Sequence, residues 1–137
     1  MTTSPISVYT DGSAIRNPGP GGWAFLYEED NEYTLVSGGE TKSTNNRMEL
    51  TAVIEALEWL PGHNIHIVSD SLLTINAGKG DWKRKANLDL WDRFELARAG
   101  REITWEWVKA HSGNPLNDEV DEAARTEARL ISEGAPS

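Results

Sequence analysis

Four acidic side chains lie where the chain changes from one predicted element to the next. Asp11 and Asp70 each follow a β-type run, and Glu49 and Asp121 lie near the starts of two runs with helical spacing of apolar residues. If a sheet and its helices bring these ends together, the carboxylates repel one another unless cations lie between them. Such a cluster would suit divalent ions that activate water to cleave a phosphodiester.

Each of these acids also has an ordinary structural explanation. Asp11 precedes a glycine and fits a turn, and Asp70 could cap the helix that follows it. Asn46 and Glu49 match a capping box, and Asp121 in the first turn of a helix would interact favourably with the helix dipole. Spacing alone leaves both interpretations open.

The pattern of apolar residues and breakers predicts the elements that must position these acids. Five strands are predicted at residues 6–11, 23–27, 33–37, 65–70 and 103–109. Helices are predicted from about 44 to 60, from 71 to about 78, from an Asn87 cap to 100, and from about 118 onwards. We expect an α/β fold whose mixed sheet has three antiparallel and then two parallel strands, flanked by helices.

Composition limits the class of protein and the kind of metal site. The 137 residues predict one domain, 1–137, with an ordered core of about 5–133 and a frayed tail from Gly134. The absence of cysteine excludes disulfides and thiolate ligands, which favours hard ions such as Mg²⁺ or Mn²⁺. No signal segment or long apolar run is present, so we expect a cytoplasmic protein that is a monomer without a membrane partner.

Charge is unevenly distributed along the chain. The net charge of −9 argues against a basic footprint covering the whole protein. Residues 79–85 form a dense basic run that contains Trp82, Lys83 and Lys85. A charge run is usually a solvated face, but cations interleaved with an aromatic ring also suit a phosphate backbone, and we favour that second interpretation.

Six short stretches together resemble ribonuclease H type 1, over residues 6 to about 131. In chain order they are YTDGS at 9–13, NPGPGG at 17–22, TNNRMEL at 44–50, SDS at 69–71, WEWVKAH at 105–111 and DEAA at 121–124. The resemblance implies the RNase H-like fold and an endonuclease that hydrolyses the RNA strand of RNA–DNA hybrids with two metal ions. It also implies products with 5′-phosphate and 3′-hydroxyl ends.

The same resemblance assigns roles to individual residues. By match, Asp11, Glu49, Asp70 and Asp121 are the carboxylates that bind two Mg²⁺ ions, for which Mn²⁺ can substitute, and Asp11 bridges both ions. His111, which could otherwise be an ordinary surface or hydrogen-bonded histidine, resembles the family residue that assists proton transfer or product release.

Substrate contacts are implied in the same way. Asn17, Asn45 and Asn46 match positions that contact the hybrid in its minor groove, and Thr44 resembles a residue that holds a phosphate of the DNA strand. The 2′-hydroxyl would identify the strand to be cut. Leu72 departs from the pattern, because many relatives have a glutamine there that contacts the hybrid.

A second departure concerns the chain between Asp70 and Trp91, which is short. Many bacterial relatives carry an extra basic helix and loop there as a handle for the substrate. Here the candidates that could replace it are Lys79, Trp82, Lys83, Arg84 and Lys85.

Three other functions are alternatives to hybrid cleavage. A hybrid-binding module that does not cut would be expected to lack one of the four carboxylates. A junction resolvase or integrase core would share the acids but not the stretches at 17–22 and 44–50. A reverse-transcriptase RNase H domain is less consistent with the compact termini, which favour a free-standing enzyme.

The small number of cations predicts weak, salt-sensitive binding of the hybrid compared with a relative that carries the handle. Titrating binding against salt should give a negative slope of log K against log[salt], because each phosphate contact releases counterions. A slope near zero would show that phosphate contacts contribute little.

Overall fold

The computed structural model describes residues 4–134, which form five strands and four helices. In chain order these are β1 (Ile6–Ala14), β2 (Gly19–Glu29), β3 (Glu32–Ser43), α1 (Asn45–Trp59), β4 (Ile65–Ser69), α2 (Leu72–Lys79), α3 (Leu88–Arg98), β5 (Ile103–Trp107) and α4 (Pro115–Gly134). The sheet order is β3-β2-β1-β4-β5. Pairs within β1–β3 are antiparallel, whereas β1–β4 and β4–β5 are parallel. The predicted sheet is therefore confirmed.

Helices cover both faces of the sheet and divide the core in two. The larger core lies under α1, α2 and α3, where Phe25, Ile54, Ile67 and Phe94 are fully buried. A smaller apolar cluster lies under α4 and includes Ala24, Leu26, Val120 and Ala124. Within residues 4–134, no helix is both long enough and apolar enough to cross a bilayer.

Gly12 allows α1 to approach β1 closely. A methyl group at this position would overlap the backbone of Met48 and Glu49. A residue with any side chain would push the helix away from the strand, since both partners are backbone and cannot rotate aside. The glycine thus brings the start of α1, and Glu49 with it, next to Asp11.

Strands β1, β2 and β3 are longer than predicted, and β2 runs over Gly19–Glu29 instead of 23–27. β1 does not end at Asp11 but continues to Ala14, because its antiparallel pairing with β2 extends to the Ala14–Gly21 pair. β3 was expected to break at Gly38 and Gly39, but it continues to Ser43. A side chain at Gly38 would clash with the ring of Trp23, so this glycine makes room for the tryptophan instead of ending the strand.

Two helix boundaries also differ from prediction. α4 begins at Pro115 instead of about Asp118, because Asn114 Oδ1 accepts hydrogen bonds from the first amides and proline suits the first helical position. Asn87 precedes α3, but its side chain makes no capping hydrogen bond, and the helix ends at Arg98 and not at residue 100. The predicted frayed tail was wrong at Gly134, which belongs to α4, and its residues 135–137 lie outside the described part of the chain.

Candidate active site

Asp11, Glu49 and Asp70 meet at one point beside the sheet. The parallel ladder between β1 and β4 ends at the Tyr9–Val68 pair, so Asp11 lies just past it and Asp70 immediately follows β4. Glu49 reaches the same point from α1. One carboxylate oxygen from each residue lies within 4.8 Å of the others. Three acids that are far apart in the sequence therefore form one cluster.

Asp121 lies at the margin of this cluster. It is the seventh residue of α4, so the prediction that it lies in the first turn was wrong. Its negative charge raises the pKa of both Asp11 and Asp70, which places it near them. Its own carboxylate pairs with Arg125 at 3.2 Å, one helical turn away.

Burial makes the three central carboxylates hard to ionise together. Asp11 is 3% exposed and Glu49 is 9% exposed. Loss of hydration raises the pKa of Asp11 to about 7, and the nearby charge of Asp70 adds to that shift. Desolvation, followed by the charge of Asp11, raises the pKa of Glu49 well above its usual value. Desolvation, followed by the charge of Asp121, also raises the pKa of Asp70.

The carboxylate cluster fits a hard cation. Glu49 Oε2 is buried and has no hydrogen-bond partner among residues 4–134. An unpaired buried carboxylate oxygen is costly, and a divalent ion among oxygen ligands would satisfy it and offset the repulsion between the acids. The donors are carboxylate oxygens, which is the ligand type that Mg²⁺ and Mn²⁺ prefer.

Other residues perform the capping roles that could have explained these acids. Thr44 caps α1, accepting a hydrogen bond from the Arg47 amide at 3.1 Å. The capping box of Asn46 with Glu49 is therefore wrong, because Asn46 lies inside the helix. Ser71 caps α2 by accepting from the Thr74 amide at 3.2 Å, which leaves the Asp70 carboxylate available.

His111 lies in the exposed loop between β5 and α4. Its φ of 56° places it in the left-handed region, where histidine is among the more tolerant non-glycine residues. His111 is close enough to Asp70 for its charge to lower the pKa of that carboxyl. The loop thus places an imidazole beside the cluster.

Sequence reasoning missed two residues that contact Asp70. The Trp107 indole Nε1 donates to the Asp70 backbone oxygen at 3.2 Å. Asn117 is 1% exposed, and its side-chain hydrogen bond lowers the pKa of Asp70. Asn117 stands four residues before Asp121, so both lie on the same face of α4, and this spacing was the available signal.

Comparison with known proteins identifies the family. A family model described as RNase H matches residues 3–129. A ribonuclease H from Ruegeria pomeroyi is 43% identical over 139 residues, covering 88% of this chain and 90% of the relative. The chain belongs to the RNase H family. The prediction of a ribonuclease H enzyme is thereby confirmed.

Solved structures of RNase H domains share the fold. The N-terminal RNase H domain of a Mycobacterium tuberculosis protein superposes with a TM-score of 0.84 at 22% identity, covering 97% of this chain and 99% of that domain. LC11-RNase H1 in complex with an RNA/DNA hybrid gives a TM-score of 0.79 at 22% identity, covering 93% and 99%. The predicted RNase H-like fold is therefore confirmed.

Two of the predicted substrate residues link β1 and the β1–β2 loop to the start of α1, and a third caps that helix. Asn17 Oδ1 accepts from the Asn45 amide at 2.9 Å, and Asn45 Oδ1 accepts from the Ala14 amide at 2.7 Å. Both carboxamide oxygens are thus used inside the protein, so the NH₂ groups are the ends that can turn towards a ligand. Thr44 accepts a capping bond, and its hydroxyl proton remains available for donation.

The remaining candidates lie in or beside a neighbouring groove. A cavity of about 220 Å³ is lined by Asn46 at the start of α1 and by Lys83, Arg84 and Lys85 of the basic run. Trp82 is exposed in the same run, and Leu72 is exposed at the start of α2. In this RNase H family member, the basic run therefore shares a groove with the start of α1.

Asp11→Asn should stabilise the metal-free protein at about pH 8. Asp11 has a raised pKa when folded, so wild-type stability is retained below the unfolded value of about 4 and is lost as pH rises towards 7. The variant lacks this penalty and should gain about 1–4 kcal/mol in free energy of unfolding at about pH 8.

That gain should disappear near pH 4, as measured by urea unfolding in a chelator at both pH values. Asp92→Asn, which changes an exposed carboxylate on α3, is the matched control and should change stability little at either pH. A destabilised Asp11→Asn protein at pH 8 would contradict the buried, repelling cluster.

Proposed function

We propose that the chain hydrolyses the RNA strand of RNA–DNA hybrids using two divalent ions. The observation that carries this proposal is the set of oxygens from Asp11, Glu49 and Asp70 within 4.8 Å of one another. The family supports it, and so does the shared fold of LC11-RNase H1, which was solved with an RNA/DNA hybrid.

The four acids take the metal-binding roles in this proposal. Asp11, Glu49 and Asp70 would hold the ions at the cluster, Asp11 would be shared between the two ions, and Asp121 would contribute from α4. When bound, a pair of Mg²⁺ or Mn²⁺ ions would activate water and stabilise the leaving oxygen of the phosphodiester, which gives 5′-phosphate and 3′-hydroxyl products. Asn117 and Trp107 keep Asp70 in place through their contacts with its side chain and backbone.

His111 moves a proton near the scissile phosphate in this proposal. It lies on an exposed loop, so it can reach the substrate and exchange protons with solvent. An imidazole can change its charge near neutral pH, which suits protonation of a leaving group or release of product.

The hybrid would lie across the start of α1 and the neighbouring groove. Asn17, Asn45 and Asn46 would donate to acceptors in its minor groove, where amide donors tolerate many sequences. Thr44 would hold a phosphate of the DNA strand. Trp82, Lys83 and Lys85 would contact the phosphate backbone of the hybrid beside the groove.

Residues 4–134 contain all the groups that this mechanism uses, so we propose that they act as one catalytic domain. A monomer in the cytoplasm stays a prediction.

The proposal predicts cleavage of labelled hybrid and not of duplex RNA or single-stranded RNA, and only when Mg²⁺ or Mn²⁺ is added. Asp70→Asn should show no cleavage above background and should still fold, because one of several mutually repelling charges is removed. Denaturing gels that resolve the end groups measure cleavage, and circular dichroism measures the folding of Asp70→Asn. Binding of the hybrid by the wild type without any cleavage would contradict the proposal, as would full activity of Asp70→Asn.

His111→Ala should slow turnover without abolishing it. General acid–base assistance contributes about 10²-fold or more, so we expect kcat to fall by roughly that factor with little change in KM. Circular dichroism should match the wild type, since the side chain lies on an exposed loop, and the melting temperature should fall by only a few degrees because alanine tolerates the φ of 56° less well than histidine. Loss of folding in this variant would show that the histidine is structural.

A further inference from the structure

Arg84 differs from the other cations of the basic loop, residues 80–87. Lys83 and Lys85 are exposed, whereas the Arg84 side chain is only 23% exposed and turns into the protein. Sequence reasoning treated this residue as one more charge in a basic run. Its contacts with the rest of the protein indicate a structural role instead.

Arg84 joins the loop to two helices. Its Nε donates to the Ala77 backbone oxygen in α2 at 3.0 Å. One of its terminal nitrogens donates to Glu95 Oε2 in α3 at 2.6 Å. Its guanidinium carbon lies 4.2 Å from the centre of the Trp91 ring, within the range of a cation–π contact. Two of the five N–H donors of the guanidinium are therefore used within the protein, and its face packs on an aromatic ring.

Among the described residues, the rest of the loop is hydrogen-bonded to the neighbouring helices only at its two ends. At the start, the amides of Asp81 and Trp82 donate to the Asn76 backbone oxygen at 2.9 and 3.1 Å. At the end, Asn87 Oδ1 accepts from Arg47 at 3.4 Å. Arg84 is the attachment in the middle, between Lys83 and Lys85.

The position of these lysines matters because the chain carries few cations to hold a polyanion. Lys83 and Lys85, with Arg84 between them, line the groove that also contains Asn46 at the start of α1. Lysines held beside a groove lose less conformational entropy on binding than lysines on a mobile loop. Because the chain has a net charge of −9, the cations beside the groove have to attract the hybrid against an overall repulsion. The entropy saved by holding these lysines in place therefore contributes to affinity.

We propose that Arg84 is a positioning residue for the hybrid: it anchors the basic loop so that Lys83 and Lys85 face the groove, and it does not itself bind a phosphate. This inference rests on the proposed function. It predicts that Arg84 changes substrate affinity through the two lysines and not through its own charge.

The test compares steady-state cleavage of the hybrid by full-length variants. Arg84→Met should raise KM by about 10-fold and leave kcat within about twofold, because binding is lost equally in ground and transition states. Arg84→Lys should show nearly the same defect, because an ammonium cannot reproduce the guanidinium's fork of donors. Wild-type KM in Arg84→Lys would overturn the inference, since it would show that charge alone suffices.

Arg98→Met is the matched control. Arg98 also pairs with Glu95, at 3.3 Å, and its guanidinium carbon lies 5.9 Å from the centre of the Phe94 ring, but it lies in α3 itself. This variant should retain wild-type KM. A rise equal to that of Arg84→Met would show that disturbing Glu95 and α3 is enough to weaken binding, and would overturn the inference.

A double-mutant cycle separates positioning from a general structural effect. In a Lys83→Ala, Lys85→Ala background, Arg84→Met should raise KM by less than about twofold, because the residues it positions are gone. The same fold-increase in both backgrounds would overturn the inference. Failure of the proposed function would look different, because the wild type itself would then not cleave the hybrid.

Discussion

The candidate site depends on one constraint: the clustered carboxylates of Asp11, Glu49 and Asp70 are poorly hydrated and repel one another. Asp11 and Glu49 are almost completely buried, and both have raised pKa values because water is excluded and other negative charges are near. Such a cluster lowers the stability of the metal-free fold as pH rises, and divalent ions would relieve that cost. A site of this kind persists only where the surrounding structure holds the acids together.

Several elements provide that support. Parallel pairing of β1 with β4 brings Asp11 and Asp70 to the same end of the sheet, and Gly12 lets the start of α1 approach β1. Contacts from Trp107 and Asn117 hold Asp70 from β5 and α4. The chain thus places supporting residues on the elements that neighbour each acid.

The order and type of the elements could be predicted from the sequence, because apolar periodicity and breakers are local signals. The four candidate metal-binding acids could also be identified from the sequence, because they stand near the ends of predicted elements and within motifs of the family. Strand length could not be predicted at Gly38, where the residue makes space for Trp23 from the neighbouring strand. The roles of Asn117 and Arg84 depend on contacts with distant residues, so neither follows from local composition.

The central claim is that these oxygens share divalent ions, and anomalous diffraction from crystals soaked in Mn²⁺ tests it most directly. The account predicts anomalous density between the carboxylates of Asp11, Glu49 and Asp70. An acidic patch on α4, which includes Asp118, Glu119 and Glu122, serves as the internal control for non-specific binding of cations. Density on that patch with none at the cluster would contradict the account.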